Sequence, residues 1–176
     1  TTININFMIP IILSIITIIS YTLAVCLKNR EIPYSISATF YTLQHKFWFA
    51  VCMIATSIFL FFPALDITTE NSQFLVFLSC IGLFGVGLAP DFKDKWINKI
   101  HCTSATITIL CSQIWVLLSS TWWILIPIWF IYITYTIVGI TKSKNQKVID
   151  RFISTKPMFW CEITALVCTY ATAILQ

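Results

Sequence analysis

Four ionisable residues stand where apolar runs meet polar loops: His45, Asp91, His101 and Glu162. A carboxylate and an imidazole separated by one short loop are raw material for general acid–base chemistry. Asp91, His101 and Glu162 are therefore the candidate catalytic set, and His45 with these three is a candidate mixed metal site. Zinc catalysis uses three protein ligands plus a water. The chain has only two histidines and no His-x-x-x-His spacing, so the first expectation is no cofactor, with zinc as the option behind it. A Ser-His-Asp arrangement with Ser35, Ser37 or Ser104 as nucleophile ranks lower still, because no nucleophile-elbow pattern surrounds these serines.

Glu162 falls in the second turn of an apolar run, where a carboxylate is costly unless it faces a bundle interior, a wet cavity or a cation such as Arg151 or Lys156. It serves there as ligand, proton acceptor or substrate anchor, or it snorkels to water at the interface. His101 heads a row of polar residues, Ser104, Thr108 and Ser112, with Trp115 closing it, at spacings of three or four. That spacing puts one stripe on one helix face. Tyr132 and Tyr135 on the next run, with Ser37 and Tyr41 near the second, are expected to line the same pocket. Ordinary hydrogen bonding between helices accounts for the row equally well.

The elements that position these residues are legible in the composition. The chain of 176 residues is 58% hydrophobic and 10% charged, with a mean hydropathy of +0.86. Soluble domains carry about 25% charged residues. The apolar runs approach the ~20 residues that cross a bilayer as helix. The reading is an all-α integral membrane bundle of six transmembrane helices in a single domain over 1–176. The spans are expected at about 7–27, 47–65, 73–90, 100–119, 121–141 and 157–175. From Ile100 to Thr141 there is no charged residue, a length of two spans, with the break at Ser119-Ser120-Thr121. The first run has no basic leader or small-residue cleavage site ahead of or behind it, so it reads as a retained span.

All eleven Lys and Arg residues fall in the polar segments 28–46, 91–99 and 142–156, and the loop after the second span carries only Asp66 and Glu70. By the positive-inside rule those three segments are cytoplasmic and both termini face outward. The expected location is a bacterial inner membrane. The net charge of +4 is explained by topology and does not point to nucleic acid. The stretch from Pro33 to Thr42 is aromatic and hydroxyl-rich, and is expected to start the second span early or to lie at the headgroup level. The seven cysteines lie in apolar runs without Cys-x-x-Cys spacing and read as small buried hydrophobes. Gly82, Gly85 and Gly87 mimic a phosphate loop, but no strand precedes them. Gly85 and Ala89 form a small-xxx-small pair suited to close helix packing, or to a homo-oligomer formed through the Gly85 face.

The residues Ser35-Ile36-Ser37-Ala38-Thr39-Phe40-Tyr41, Ala89-Pro90-Asp91 and Ile100-His101 resemble the pattern of ceramidase-like membrane proteins, including a bacterial branch of unknown function. The resemblance covers about 32–112 and implies a multi-helix lipid-amide hydrolase with zinc and an outward N-terminus. Ser37, Asp91 and His101 are the positions that match. The family's late histidine pair has no counterpart here, and only Glu162 stands in that region. The expectation is therefore a bundle that binds membrane lipid or another small amphiphile in a polar pocket near the cytoplasmic face, without catalysis. An active hydrolase of lipid amides and a structural, partner-binding membrane protein are the alternatives.

Overall fold

The computed structural model describes residues 5–91, 93–143 and 147–176, with side chains from Met8 onward. Lys144 of the basic loop lies outside the described residues. Seven α-helices and two 3-10 turns make up the described chain, which contains no strand among the described residues. The helices are α1 (Ile5–Asn29), α2 (Phe47–Asp66), α3 (Glu70–Leu88), α4 (Lys95–Leu118), α5 (Leu125–Lys142), α6 (Val148–Ser154) and α7 (Pro157–Leu175). Six segments are long and apolar enough to cross a membrane, and only α6 is not among them. The protein is an all-α integral membrane bundle.

Helices α1, α2, α3, α4 and α7 close into a ring, each packed on the next and α7 on α1. Helix α5 stands outside that ring, against α7, α6 and the flank of α4. Only 6% of its apolar stretch is buried, against 22–44% for the other five spans. Most of the surface of α5 is therefore left to lipid.

Hydroxyl and amide groups tie the ring across helices. Ser14 on α1 donates to the Thr56 carbonyl on α2 at 2.8 Å and accepts from the Tyr170 hydroxyl on α7 at 2.6 Å. Ser57 donates to the Cys80 carbonyl at 2.7 Å, and Ser79 to the Thr108 carbonyl at 3.1 Å. Gln113 bridges α4 to the Ala165 carbonyl of α7 at 3.2 Å and accepts the indole N–H of Trp129 on α5 at 3.0 Å. Such bonds are worth about 0.6 kcal/mol each on average, so they set register more than they supply stability.

The glycines of α3 permit its close approach to both neighbours. A Cβ on Gly82 would lie 2.7 Å from the Ser104 carbonyl, and one on Gly85 would lie 2.5 Å from Ser104 Oγ. The Gly85 face is thus covered by α4 of the same chain. The seven cysteines are free thiols.

Three local features differ from the expectation. Helix α4 begins at Lys95 rather than near Ile100, because Asp94 caps it by accepting from the backbone N–H of Trp96 at 2.9 Å and Ile97 at 3.1 Å. Helix α1 begins at Ile5, ahead of the expected start near 7, and Pro10 stands inside it. The basic loop contains the short helix α6, whose Val148, Ile149, Phe152 and Ile153 share one exposed face at the i, i+1, i+4, i+5 spacing.

Candidate functional site

The segment between α1 and α2 is built into the bundle rather than laid over it. Ser35, Ile36, Ser37, Thr39 and Phe40 are all buried, with Thr39 fully enclosed. Irregular backbone at this depth must find hydrogen-bond partners within the protein. Ser35 Oγ accepts from the Ala38 N–H at 2.9 Å, opening the 3-10 turn Ser37–Tyr41. Thr39 Oγ1 donates to the Ile36 carbonyl at 2.5 Å and accepts from the Tyr21 hydroxyl of α1 at 2.5 Å. The Phe159 N–H donates to the Tyr34 carbonyl at 3.0 Å, stitching the segment to the start of α7. The stretch expected to begin the second span or to sit at the headgroups is instead a plug in one end of the ring. Tyr34 on one side of it, and Phe47 and Trp48 on the other, are left exposed.

Glu162 completes the plug. Its carboxylate Oε2 accepts the backbone N–H of Ile36 at 2.5 Å. Five residues separate Glu162 from Pro157, which places it about 8 Å along α7 from the helix start. No Lys, Arg or His side chain forms an ion pair with it among the described residues, so neither Lys156 nor Arg151 neutralises it there. The carboxylate lines a cavity of about 80 Å³ inside the ring, enough for several waters. The wall opposite and above is apolar, with Ile18, Met53, Leu83 and Ile109 prominent. Ser37, Ser79, Thr108, Ser112 and Thr169 supply its hydroxyls.

The remaining candidates are placed elsewhere. Asp91 accepts the Tyr41 hydroxyl at 2.9 Å, and that same hydroxyl accepts the Lys93 N–H at 2.8 Å. The Lys93 ammonium lies 4.5 Å from the centre of the Tyr41 ring. Asp91 and Tyr41 therefore pin the 91–94 loop to the plug. His101 is buried two turns into α4, and its Nδ1 donates to the Ala89 carbonyl at 2.8 Å. It ties α4 to the frayed end of α3. Ser104 is packed against Gly85, and its carbonyl receives the Thr108 hydroxyl. Tyr132 donates to the Pro157 carbonyl at 3.2 Å, and the Tyr135 ring meets Trp160 edge-on at 5.3 Å. Both tyrosines therefore face the outer side of α7, since α5 is outside the ring. His45 is exposed beside Phe47.

Of the sequence candidates, the cavity brings together Glu162, Ser37, Thr108 and Ser112, and its lining does not include Asp91 or His101. No group of three or more His, Cys, Asp or Glu side chains able to hold a metal ion forms among the described residues. Sequence reasoning overlooked Ala165, Leu166 and Thr169. The signal was present, because with Glu162 they stand at the i, i+3, i+4, i+7 spacing of one helix face. It also overlooked the Ile36 N–H, which no pattern of side chains announces.

A second recess of about 290 Å³ lies at the opposite end of the ring, among Thr68, Ser72, Trp115, Ser119 and Gln176. Ala64, Val76 and Thr172, all nearly inaccessible, lie between the stretches of their helices that line the two cavities. No protein-family model, curated protein or solved structure matches the chain.

Proposed function

We propose that this membrane bundle binds a small amphiphile inside the five-helix ring, with the polar head of the ligand at Glu162 and its apolar part against α2, α3 and α4. The observation that carries this reading is the carboxylate itself. Glu162 is the charged residue in a cavity lined by aliphatic and hydroxyl side chains, one oxygen held by the Ile36 N–H, with no ion pair among the described residues. A carboxylate kept in a span without a cation is a functional-site hypothesis by default. The cavity volume suits a head group and a few methylenes rather than a whole lipid. The likeness of Ser37, Asp91 and His101 to the ceramidase-like pattern agrees with a ligand of lipid character. The positions of Asp91 and His101, each bonded outside the cavity lining, favour binding over hydrolysis.

The basic loops stand at the Glu162 end, since Tyr41 joins the first to the second and Tyr34 joins the first to α7. With the positive-inside rule this makes the Glu162 end cytoplasmic and both termini outward. A bacterial inner membrane is the membrane to which this orientation is assigned.

The test is extraction of the protein in mild detergent and mass spectrometry of what travels with it. An amphiphile recovered in stoichiometric amount from the wild type and lost from Ala105→Leu, which projects extra bulk into the cavity, is the expected result. Equal recovery from both proteins would mean lipid bound on the outer surface and would sink the reading.

A further inference from the structure

The cavity hydroxyls share a property that narrows the ligand. Thr108 Oγ1 lies 2.8 Å from the Ser104 carbonyl, Ser112 Oγ 3.0 Å from the Ile109 carbonyl and Thr169 Oγ1 2.8 Å from the Ala165 carbonyl. Ser79 Oγ lies 3.1 Å from the Thr108 carbonyl. A carbonyl oxygen only accepts, so in each contact the hydroxyl must be the donor. The four hydroxyls have therefore spent their protons on backbone, and what they can still offer is lone pairs, one of which Ser112 already gives to the Gln113 side-chain N–H at 3.2 Å. Glu162, when ionised, is likewise acceptor-only, and one of its oxygens is already satisfied by Ile36. Ser37 is the one lining hydroxyl without a hydrogen bond among those described. The remaining wall is aliphatic, with the Met53 sulfur a further weak acceptor.

Such a cavity is rich in acceptors and poor in donors. A ligand with an anionic or carbonyl head would find one hydroxyl to donate to it and a carboxylate to repel it. A neutral alcohol would satisfy a single acceptor. A protonated primary amine offers three N–H donors and one positive charge. It would answer the Glu162 oxygen with a charge-assisted bond and keep N–H donors for the acceptors of the lining. We infer that the cavity is a site for a primary alkylammonium head, with Glu162 as its counter-ion and the hydroxyl lone pair of Thr108 as a secondary acceptor. This inference rests on the amphiphile-binding reading and assigns its ligand class. The ammonium head is shared by a free short-chain amine and by a long-chain membrane amine.

The experiment measures binding to purified full-length protein in detergent, by equilibrium dialysis and by thermal stabilisation. The probes are n-butylammonium, n-butanol, tetramethylammonium, butyrate and dodecylammonium. The expected order places butylammonium about tenfold or more above butanol, the worth of one charge-assisted hydrogen bond. Tetramethylammonium carries the charge without a donor and should bind more weakly than butylammonium. Glu162→Gln should remove the preference for butylammonium over butanol. Thr108→Val, nearly the same shape, should weaken butylammonium more than butanol and remains informative if Glu162→Gln folds poorly. Tighter binding of dodecylammonium identifies a membrane amine, and equal binding identifies a free one; either result keeps the ammonium class. Equal affinity for butanol and butylammonium, or an amine preference that survives both substitutions, overturns the inference and leaves amphiphile binding intact. Failure of every probe, together with no co-purified amphiphile, removes the amphiphile-binding reading as well.

Discussion

The carboxylate of Glu162 on α7 accepts the backbone N–H of Ile36, 126 residues earlier in the chain, at 2.5 Å. The bond closes one end of a transmembrane ring with irregular backbone and leaves the other carboxylate oxygen to the cavity. Two substitutions separate these roles. Glu162→Gln keeps an acceptor for Ile36 and should unfold at nearly the wild-type temperature. Glu162→Leu leaves a buried N–H without a partner and should cost about 1–3 kcal/mol. Thermal unfolding in detergent, followed by circular dichroism, checks both. Equal stability of Glu162→Leu and wild type would mean that the plug is held without this bond.

The α3–α4 contact makes a comparative prediction. A methyl on Gly82 meets backbone, the Ser104 carbonyl at 2.7 Å and the Thr108 nitrogen at 2.9 Å, whereas one on Gly85 meets only the Ser104 side chain. Overpacking that forces backbone apart costs about 1–3 kcal/mol. Gly82→Ala should therefore destabilise more than Gly85→Ala. Adding Ser104→Ala should rescue Gly85→Ala, because it removes the atom nearest the new methyl, and should leave Gly82→Ala unrescued. Unfolding temperatures of the four proteins decide it.

His101 offers a contrast with Glu162. Its hydrogen bond to the Ala89 carbonyl joins α4 to α3 and lies outside the cavity lining. His101→Ala should lower stability by about 1–2 kcal/mol, the cost of an unsatisfied buried acceptor with lost packing. Amphiphile binding by the folded fraction should stay within about twofold. Zinc bound one to one and lost in this variant would assign the residue to a metal instead.

The membrane orientation is checked at Gln176. A reporter enzyme active only outside the cytoplasm, fused after Gln176, should be active, and the same reporter inserted after Lys147 should be silent. A silent C-terminal fusion would reverse the assignment or change the number of spans crossed.

The sequence by itself determined the membrane class, six apolar crossings and the collection of every Lys and Arg into three loops. Length of apolar run and charge exclusion from hydrocarbon are properties of local composition, and they act before any tertiary contact forms. The same locality explains what was legible about Glu162: an acidic residue in a span announces itself. The tertiary structure decided which of the ionisable residues meet. Asp91 and His101 lie close to the same end of the molecule, yet Tyr41 claims one and the Ala89 carbonyl the other. The partner of Glu162 is a backbone N–H, a group every non-proline residue carries, so no residue pattern could single out Ile36. The ring order left α5 outside and turned Tyr132 and Tyr135 away from the cavity, because helix periodicity states that a face exists and only packing states what it faces.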